Sequence, residues 1–403
     1  PLGGAGEIGM NLNLYRYAGK WLMVDLGVTF GDDSTPGVEV ITPDPSFIEE
    51  HRDDLLGLVL THAHEDHLGA VPYLWRRLRC PVWATGFAAS MLRRKLEEVG
   101  LAGEVPITVV GPSGRVQIGP FDVEYISITH SIPESNALAI RTPAGTVLHT
   151  GDWKFDPEPL VGEATDEAAF KRFGDENILA LVGDSTNALQ PGHSGSEADV
   201  RRALVELFGR FEHRVAVACF ASNVARLETV AVAAAAHGRD VALVGRSLWR
   251  INEAARENGY LKDVRPFLDE VDAGYMPRER IVLLCTGSQG ESRAALARIA
   301  ADEHPHVVLE GGDVAIFSSR VIPGNERAIR RLQNRLAAMG VELVTAEESG
   351  PLDLAPDHPT ETVPGPIHVS GHPCRDELTR MYQLVRPRIA IPVHGETRHM
   401  EAH

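Results

Sequence analysis

The 403 residues carry 39 Lys and Arg against 56 Asp and Glu, a net charge of −17, and 43% of them are hydrophobic. That balance excludes a broad basic surface, so any polyanion would have to be held at a site, by local arginines or bound dications. No apolar run reaches membrane-spanning length, no repeat or low-complexity tract occurs, and Cys80, Cys219, Cys285 and Cys374 stand apart without a CxxC pair, which argues against a disulfide framework and fits a reducing cytoplasm. The length predicts two or three domains, or one large domain with an insertion. The chain opens at Pro1 with neither a signal-peptide pattern nor an initiator methionine, so a short leader is expected ahead of it.

Gly4-Ala5-Gly6-Glu7-Ile8-Gly9 fits GxGxxG, and Asp25 follows the hydrophobic strand Trp21-Leu22-Met23-Val24. A dinucleotide site needs a helix after the last glycine, whereas Asn11 to Tyr15 alternates with period two. The glycines therefore read as a strand-to-strand turn. Asp25 either orients metal ligands or simply ends its strand in a turn. Residues 27–45, rich in Gly, Asp and Pro, form a loop.

Next comes the densest cluster of ligand-type residues. A short apolar run, Leu55 to Leu60, predicts a buried strand, and spaced apolar residues after Gly69 predict a helix. Between them, Thr61-His62-Ala63-His64-Glu65-Asp66-His67-Leu68-Gly69 places three histidines and an aspartate on a strand-to-helix turn. Imidazole suits zinc-like cations, and a carboxylate adds the charge a dication needs. Two histidines one residue apart, then an Asp-His pair, suit two neighbouring metals better than one. The spacing is not that of a zincin helix.

Short strands and helices then alternate to residue 150: strand 81–85, helix 88–99, and strands 105–110, 121–128, 137–141 and 146–149. His130 and Asp152 follow strand ends. After a buried strand, 178–182, and Asp184, residues 197–345 read as a separate α/β unit. Small polar turns, Ala221-Ser222-Asn223 and Thr286-Gly287-Ser288-Gln289-Gly290, join its strands to helices whose N-termini could receive phosphate. The chain returns through Ile367-His368-Val369-Ser370-Gly371-His372, a helix over 375–384, and a strand ending at His394.

The order HxHxDH, then His130, then Asp152, on successive loops resembles the metallo-β-lactamase superfamily over residues 1–185. That resemblance implies an αββα sandwich with a dinuclear site along one edge. His62, His64 and His130 would hold one metal, Asp66 and His67 the other, and Asp152 would bridge them. The α/β insertion, together with DSTN at 184–187, FASN at 220–223, TGSQGE at 286–291, HVSGH at 368–372 and PVHGE at 392–396, makes the whole chain similar to the β-CASP nucleases and, within them, to the bacterial ribonuclease J family.

The implied fold class is α/β: a metallo-β-lactamase sandwich, residues 1–188, an inserted β-CASP domain, 189–346, and a return segment, 347–403, that completes the first domain. His394 becomes the last ligand of the second metal. His368, Ser370 and His372, with Ser222 and Asn223, would contact the scissile phosphate. His372 is the candidate general acid, and Asp184 orients it or a ligand, or shares in proton transfer. Ser288, with Gln289 and Arg320, would line a pocket for a terminal phosphate. The cofactors implied are two divalent ions, Zn2+ by the His-rich set, with Mn2+ the alternative because two of the ligands are carboxylates.

The expected substrate is RNA with a single-stranded 5′-monophosphate end, degraded 5′→3′ with internal cleavage of some substrates. The expected setting is the cytoplasm, with no membrane partner and with a homo-dimer or tetramer in the full-length protein. The family's further C-terminal domain is not part of this sequence. Glu39 stands where some relatives place an Asp in a loop that holds an additional structural ion. Two rival readings are another metallo-β-lactamase-fold hydrolase, which needs no such insertion, and an inactive RNA-binding subunit, for which seven filled ligand positions have no use.

Overall fold

A computed structural model describes residues 1–31, 35–345 and 365–403. Contacts divide the chain into one unit formed by Pro1–Ser194 with Gly371–His403 and an inserted unit, Gly195–Ser370. The boundaries read from the sequence put the insert at 189–346. Most of the stretch between those two ends, 346–364, lies outside the described residues. Its described tail groups with the insert for a physical reason: the Ile367 carbonyl accepts from Arg226 Nη1 at 3.1 Å and from Ser318 Oγ at 2.6 Å.

In the first unit two sheets stack. One holds five strands in the order Asn13–Tyr17, Lys20–Val24, Leu55–Val59, Val82–Ala84 and Ile107–Val109, parallel after the first hairpin. The other holds six, in the order Ile389–Val393, Ala180–Asp184, Gly145–His149, Asn136–Thr142, Phe121–Ser127 and Arg115–Ile118. Alternation assigns the faces, because successive side chains of a strand point opposite ways. Phe121, Val123 and Tyr125, with Leu138 and Ile140, meet Leu22, Val24 and Val59 of the facing sheet. Ile126, Ala137 and Ala139 point to the other side, where they pack with Phe170 and Phe173 of helix Glu167–Asp175 and Leu378 and Met381 of helix Arg375–Val385. Each fully buried Leu or Phe contributes about 1.5–3 kcal/mol. Helices Val71–Leu78 and Gly86–Glu98 bury Leu74, Leu78, Phe87 and Leu92.

The inserted unit is a five-stranded parallel sheet in the order Asp240–Val244, Ile281–Cys285, Val215–Ala218, Val314–Phe317 and Glu342–Thr345. Its interior strand Ile281–Cys285 is buried at every residue, as a parallel strand covered on both faces must be, and its sequence is accordingly one apolar run. Arg226 is fully buried within this unit and pairs with Glu197 at 3.1 Å. None of the helices among the described residues is long and apolar enough to cross a membrane.

Candidate metal centre and active site

Strand Leu55–Val59 leads into Thr61-His62-Ala63-His64, which bends at Thr61 and Ala63 and is extended at His64, and a one-turn helix, Glu65–Leu68, follows at once. Asp66 and His67 thus lie on that helix, whereas the spacing alone suggested a plain turn. Backbone bonds clamp the helix to residues 26–28: Leu26 N donates to His67 O at 2.7 Å and Val28 N to Glu65 O at 3.0 Å. Between them sits Gly27, where a Cβ would fall 1.7 Å from the Asp66 carbonyl oxygen. Backbone cannot step aside as a side-chain tip can. Gly27→Ala is therefore expected to cost about 3 kcal/mol, the upper part of the range for overpacking. A urea melt checks it, and unaltered stability with full metal content would contradict the clamp.

Three groups of His and Asp residues have ligand atoms within 4.8 Å of one another: His62, His64, His130 and Asp152; Asp66, His67, Asp152 and His394; and Asp152, Asp184, His372 and His394. Asp152, buried after strand Gly145–His149, belongs to all three. Glu39 belongs to none of them among the described residues.

Hydrogen bonding behind the rings decides which nitrogen faces inward. His130 Nδ1 donates to the Gly371 carbonyl at 2.6 Å, which leaves Nε2 with its lone pair. Thr61 Oγ1 donates to Asp25 Oδ2 at 2.8 Å and accepts from His62 Nδ1 at 3.0 Å, so His62 Nε2 also carries a lone pair. Both Nε2 atoms point at His64 Nδ1, at 3.1 and 3.0 Å. At most one proton serves three nitrogens there, an arrangement that a cation satisfies. Burial, reinforced by neighbouring histidines, drives His62 and His130 well below the usual histidine range, and burial lowers His64 to about 4. All three are thus neutral, the state in which imidazole coordinates.

The second set is built the same way. His67 Nδ1 donates to Asp25 Oδ2 at 2.7 Å. Asp25 is itself buried, at φ 61°, and receives Thr61 N at 2.8 Å, so it orients His67 and holds the first loop at once. His394, at φ 52°, donates from Nδ1 to Thr186 Oγ1 at 2.8 Å, and Thr186 Oγ1 in turn donates to Asp184 Oδ1 at 2.7 Å. Such left-handed backbone at non-glycine residues is strained and persists where surroundings fix it. Each Nε2 then faces inward against a carboxylate, a position that a proton or a metal ion can occupy: His394 Nε2 lies 3.0 Å from Asp66 Oδ2, and His67 Nε2 lies 3.2 Å from Asp152 Oδ2. Burial opposes charge here, but Asp152 with Asp66 and Asp25 around His67, and Asp152 with Asp184 and Asp66 around His394, overcome it and hold both rings well above the usual range. The pocket demands positive charge. Four convergent donors, two nitrogen and two oxygen, fit a divalent ion.

His372 differs from the ligands. Its side chain is 22% exposed, and its Nδ1 donates to Asp184 Oδ2 at 2.8 Å while standing 3.8 Å from Asp152. Burial works against ionising Asp184, yet His372 and His394 outweigh it and keep the carboxylate well below its usual range.

The remaining residues singled out in the sequence lie in the inserted unit, so they are described within it. Ser222 and Asn223 follow strand Val215–Ala218, and Ser288 and Gln289 follow Ile281–Cys285, all at the carboxyl edge of the sheet. Asn223 Oδ1 caps helix Val224–Ala236 by accepting from Arg226 N, and its amide donates to Glu197. Gln289 ties two loops together, accepting from Ile322 N at 2.9 Å and donating to Arg320 O at 2.8 Å. His368 and Ser370 are half-buried beside Ile367 and Val369.

Sequence reasoning missed Thr61 and Thr186, the hydroxyls that set ring orientation; their place directly beside His62 and two residues after Asp184 was the available signal. It also left the glycine loop without a role. Gly6 and Glu7 bridge to Glu396 and Gly395, and the Gly4 carbonyl accepts from His394 N, so the loop seats the last ligand.

An αββα sandwich with convergent His and Asp donors at its strand ends defines a metallohydrolase of the metallo-β-lactamase class. The profile of the metallo-β-lactamase superfamily matches residues 9–210, that of the ribonuclease J β-CASP domain residues 212–336, and that of a Zn-dependent metallo-hydrolase RNA specificity domain residues 366–403. Ribonuclease J of Sinorhizobium meliloti is 48% identical over 407 residues, covering 100% of this chain and 69% of that protein. Ribonuclease J of Mycolicibacterium smegmatis is 43% identical, covering 100% of this chain and 69% of its own length. That of Thermus thermophilus is 38% identical over 99% of this chain and 68% of its own. A solved structure, a protein of unknown function from Enterococcus faecalis V583, superposes with a TM-score of 0.64 at 16% identity, covering 99% of this chain and 94% of that one, a likeness of fold. The chain belongs to the ribonuclease J family.

Proposed function

We propose that the chain is a metal-dependent ribonuclease that removes nucleotides 5′→3′ from RNA with a 5′-monophosphate end and cuts some substrates internally. The observation that carries this reading is the pair of donor sets sharing Asp152, with the His372–Asp184 pair beside them. His62, His64, His130 and Asp152 would hold one divalent ion, and Asp66, His67, His394 and Asp152 a second. Zinc is the first choice for the three-nitrogen set, and manganese is the alternative where two carboxylates contribute. Bound ions would supply Lewis acidity at the phosphodiester and make water a competent nucleophile at neutral pH.

The chain's own residues do the rest. Asp184 accepts the Nδ1 proton of His372 and so turns Nε2 away from itself; as the imidazolium, the ring would present its second proton there. When the P–O3′ bond breaks, that proton passes to the departing 3′ oxygen, and the phosphate stays on the 5′ oxygen of the next nucleotide. His368, Ser370 and Ser222 would donate to the non-bridging phosphate oxygens, with Asn223 fixing the turn that carries Ser222. Ser288, on its glycine-flanked turn, would meet the terminal phosphate. Work in the cytoplasm and as a homo-oligomer completes the proposal.

The experiment follows 5′-labelled RNA with mono- or triphosphate ends, with and without chelator, by product length. The monophosphate substrate is expected to decay at least ~10-fold faster, about 1.4 kcal/mol of discrimination, because a pocket sized for one phosphate leaves two more unaccommodated. Equal decay of both would remove the terminal pocket. Cleavage undiminished by chelation would remove the metals.

A further inference from the structure

Against the acidic whole, one helix of the inserted unit is basic. Glu326–Ala338 buries Ile329, Leu332 and Leu336 in the core of its unit. At about 100° per residue, Arg327, Arg330, Arg331 and Arg335 fan across the opposite arc, and all four are exposed. Some exposed arginines elsewhere are engaged by carboxylates, Arg202 by Asp199, Arg380 by Glu167, Arg386 by Asp175 and Arg398 by Glu396, and others, such as Arg52, Arg93 and Arg388, stand singly. Among the described residues the four on this helix have no such partner. The helix's one carboxylate, Glu326, accepts from Gly324 N instead. Arg327 and Arg331, and again Arg331 and Arg335, are like charges four apart, a spacing that destabilises an isolated helix. A polyanion laid along the face would relieve that repulsion.

Place adds to charge. The helix follows the loop that Gln289 holds, its amide oxygen accepting from Ile322 N and from Asn325 Nδ2, and a Cβ at Gly290 would touch the backbone of Ala328 and Ile329. The arginine stripe thus starts beside the Thr286–Gly290 turn and runs about 12 Å along the helix, at about 1.5 Å per residue.

We infer that Arg327, Arg330, Arg331 and Arg335 form a track for the sugar–phosphate backbone of single-stranded RNA, outside the metal centre. The inference rests on RNA as the substrate but not on the roles given to His372 or the metals. Guanidinium forks match phosphate oxygens in pairs, and contacts to phosphate carry no sequence information. The track therefore adds affinity for length and none for sequence.

The test is single-turnover decay of a long single-stranded RNA by the metal-loaded enzyme, with half-saturation followed against salt. For R327Q/R331Q/R335Q, half-saturation at low salt is expected to rise, and the slope of log affinity against log salt to become shallower by about 2, from three phosphates at about 0.7 each. Between 50 and 200 mM salt the variant then loses roughly 20-fold less affinity than the parent. The matching Arg→Lys triple keeps the parent slope, because the count of cations is unchanged. Half-saturation and slope like the parent's in the Gln triple would overturn the track, as would equal losses in the Gln and Lys triples. A Gln triple that instead changes sedimentation mass while its RNA affinity stays put would assign the helix to contact between copies, and so also overturns it. Failure of the parent enzyme itself to bind or degrade RNA would sink the substrate reading, and the track with it, before any variant is consulted.

Discussion

Asp152→Asn is expected to empty the metal centre and to lower single-turnover RNA cleavage by on the order of 10⁴, the scale on which removing one member of an interdependent catalytic set acts. Asparagine keeps the size and one oxygen of the side chain and removes only the charge. In the parent chain that charge stands 3.2 Å from His67 Nε2, 3.7 Å from His394 Nε2 and 3.9 Å from the Nε2 atoms of both His62 and His130. Among the described residues no other carboxylate serves both donor sets. Loss of Asp66 by comparison weakens one set and leaves the other with its full complement. Metal analysis by mass spectrometry, on protein whose circular dichroism matches the parent, gives the content, and quenched-flow cleavage gives the rate. A variant that holds its metal and cleaves within tenfold of the parent would show that the bridging role is wrong.

His372→Ala is expected to act on the rate alone. The His372 side chain is 22% exposed, and Asp184 holds it from behind. Removal should leave metal content as it was and change RNA affinity little, while the rate falls by roughly 10²–10⁴, the usual range for a general acid. A substrate with sulfur in place of the 3′ leaving oxygen needs little protonation, so it should recover much of the loss. Should the variant instead lose metal, or bind RNA far more weakly at an unchanged single-turnover rate, His372 would be a ligand or a phosphate anchor. Asp184 would then be next to examine as the acid.

How far the sequence reached depends on how local each signal was. His62, His64, Asp66 and His67 fall within six residues, and a strand and a helix pattern flank them, so ligand chemistry could be read directly. His130, Asp152 and His394 each stand alone at a strand end. Following a metal motif at strand ends makes them candidates, the resemblance to a family gives each its ligand role, and the fold brings all three to the same centre. Ring orientation was out of reach: Thr186 meets His394 across 208 residues and Asp25 meets His67 across 42, and neither bond leaves a spacing pattern. Asp25 was accordingly left open between an orienting carboxylate and a turn residue.

Elements with strong periodicity were placed closely. The helix read over 88–99 forms at Gly86–Glu98, and the strand read over 121–128 forms at Phe121–Ser127. Strand Arg115–Ile118 was missed because Arg and Gln alternate with only two apolar residues at the edge of a sheet. Helix Glu326–Ala338 was passed over although Ile329, Leu332 and Leu336 mark its buried face. The insert's far boundary falls at Ser370 because Ile367 is tied to Arg226 and Ser318, side chains distant in sequence.

The most direct test of the central claim is a metal titration. Protein stripped by chelation and dialysis is reloaded with zinc or manganese in steps, and bound metal and single-turnover RNA cleavage are read from the same samples. The two donor sets predict that cleavage reaches its plateau as bound metal reaches two per chain. Full cleavage by the stripped protein, or a plateau at one bound ion with the second site still taking metal, would contradict a dinuclear centre built on Asp152.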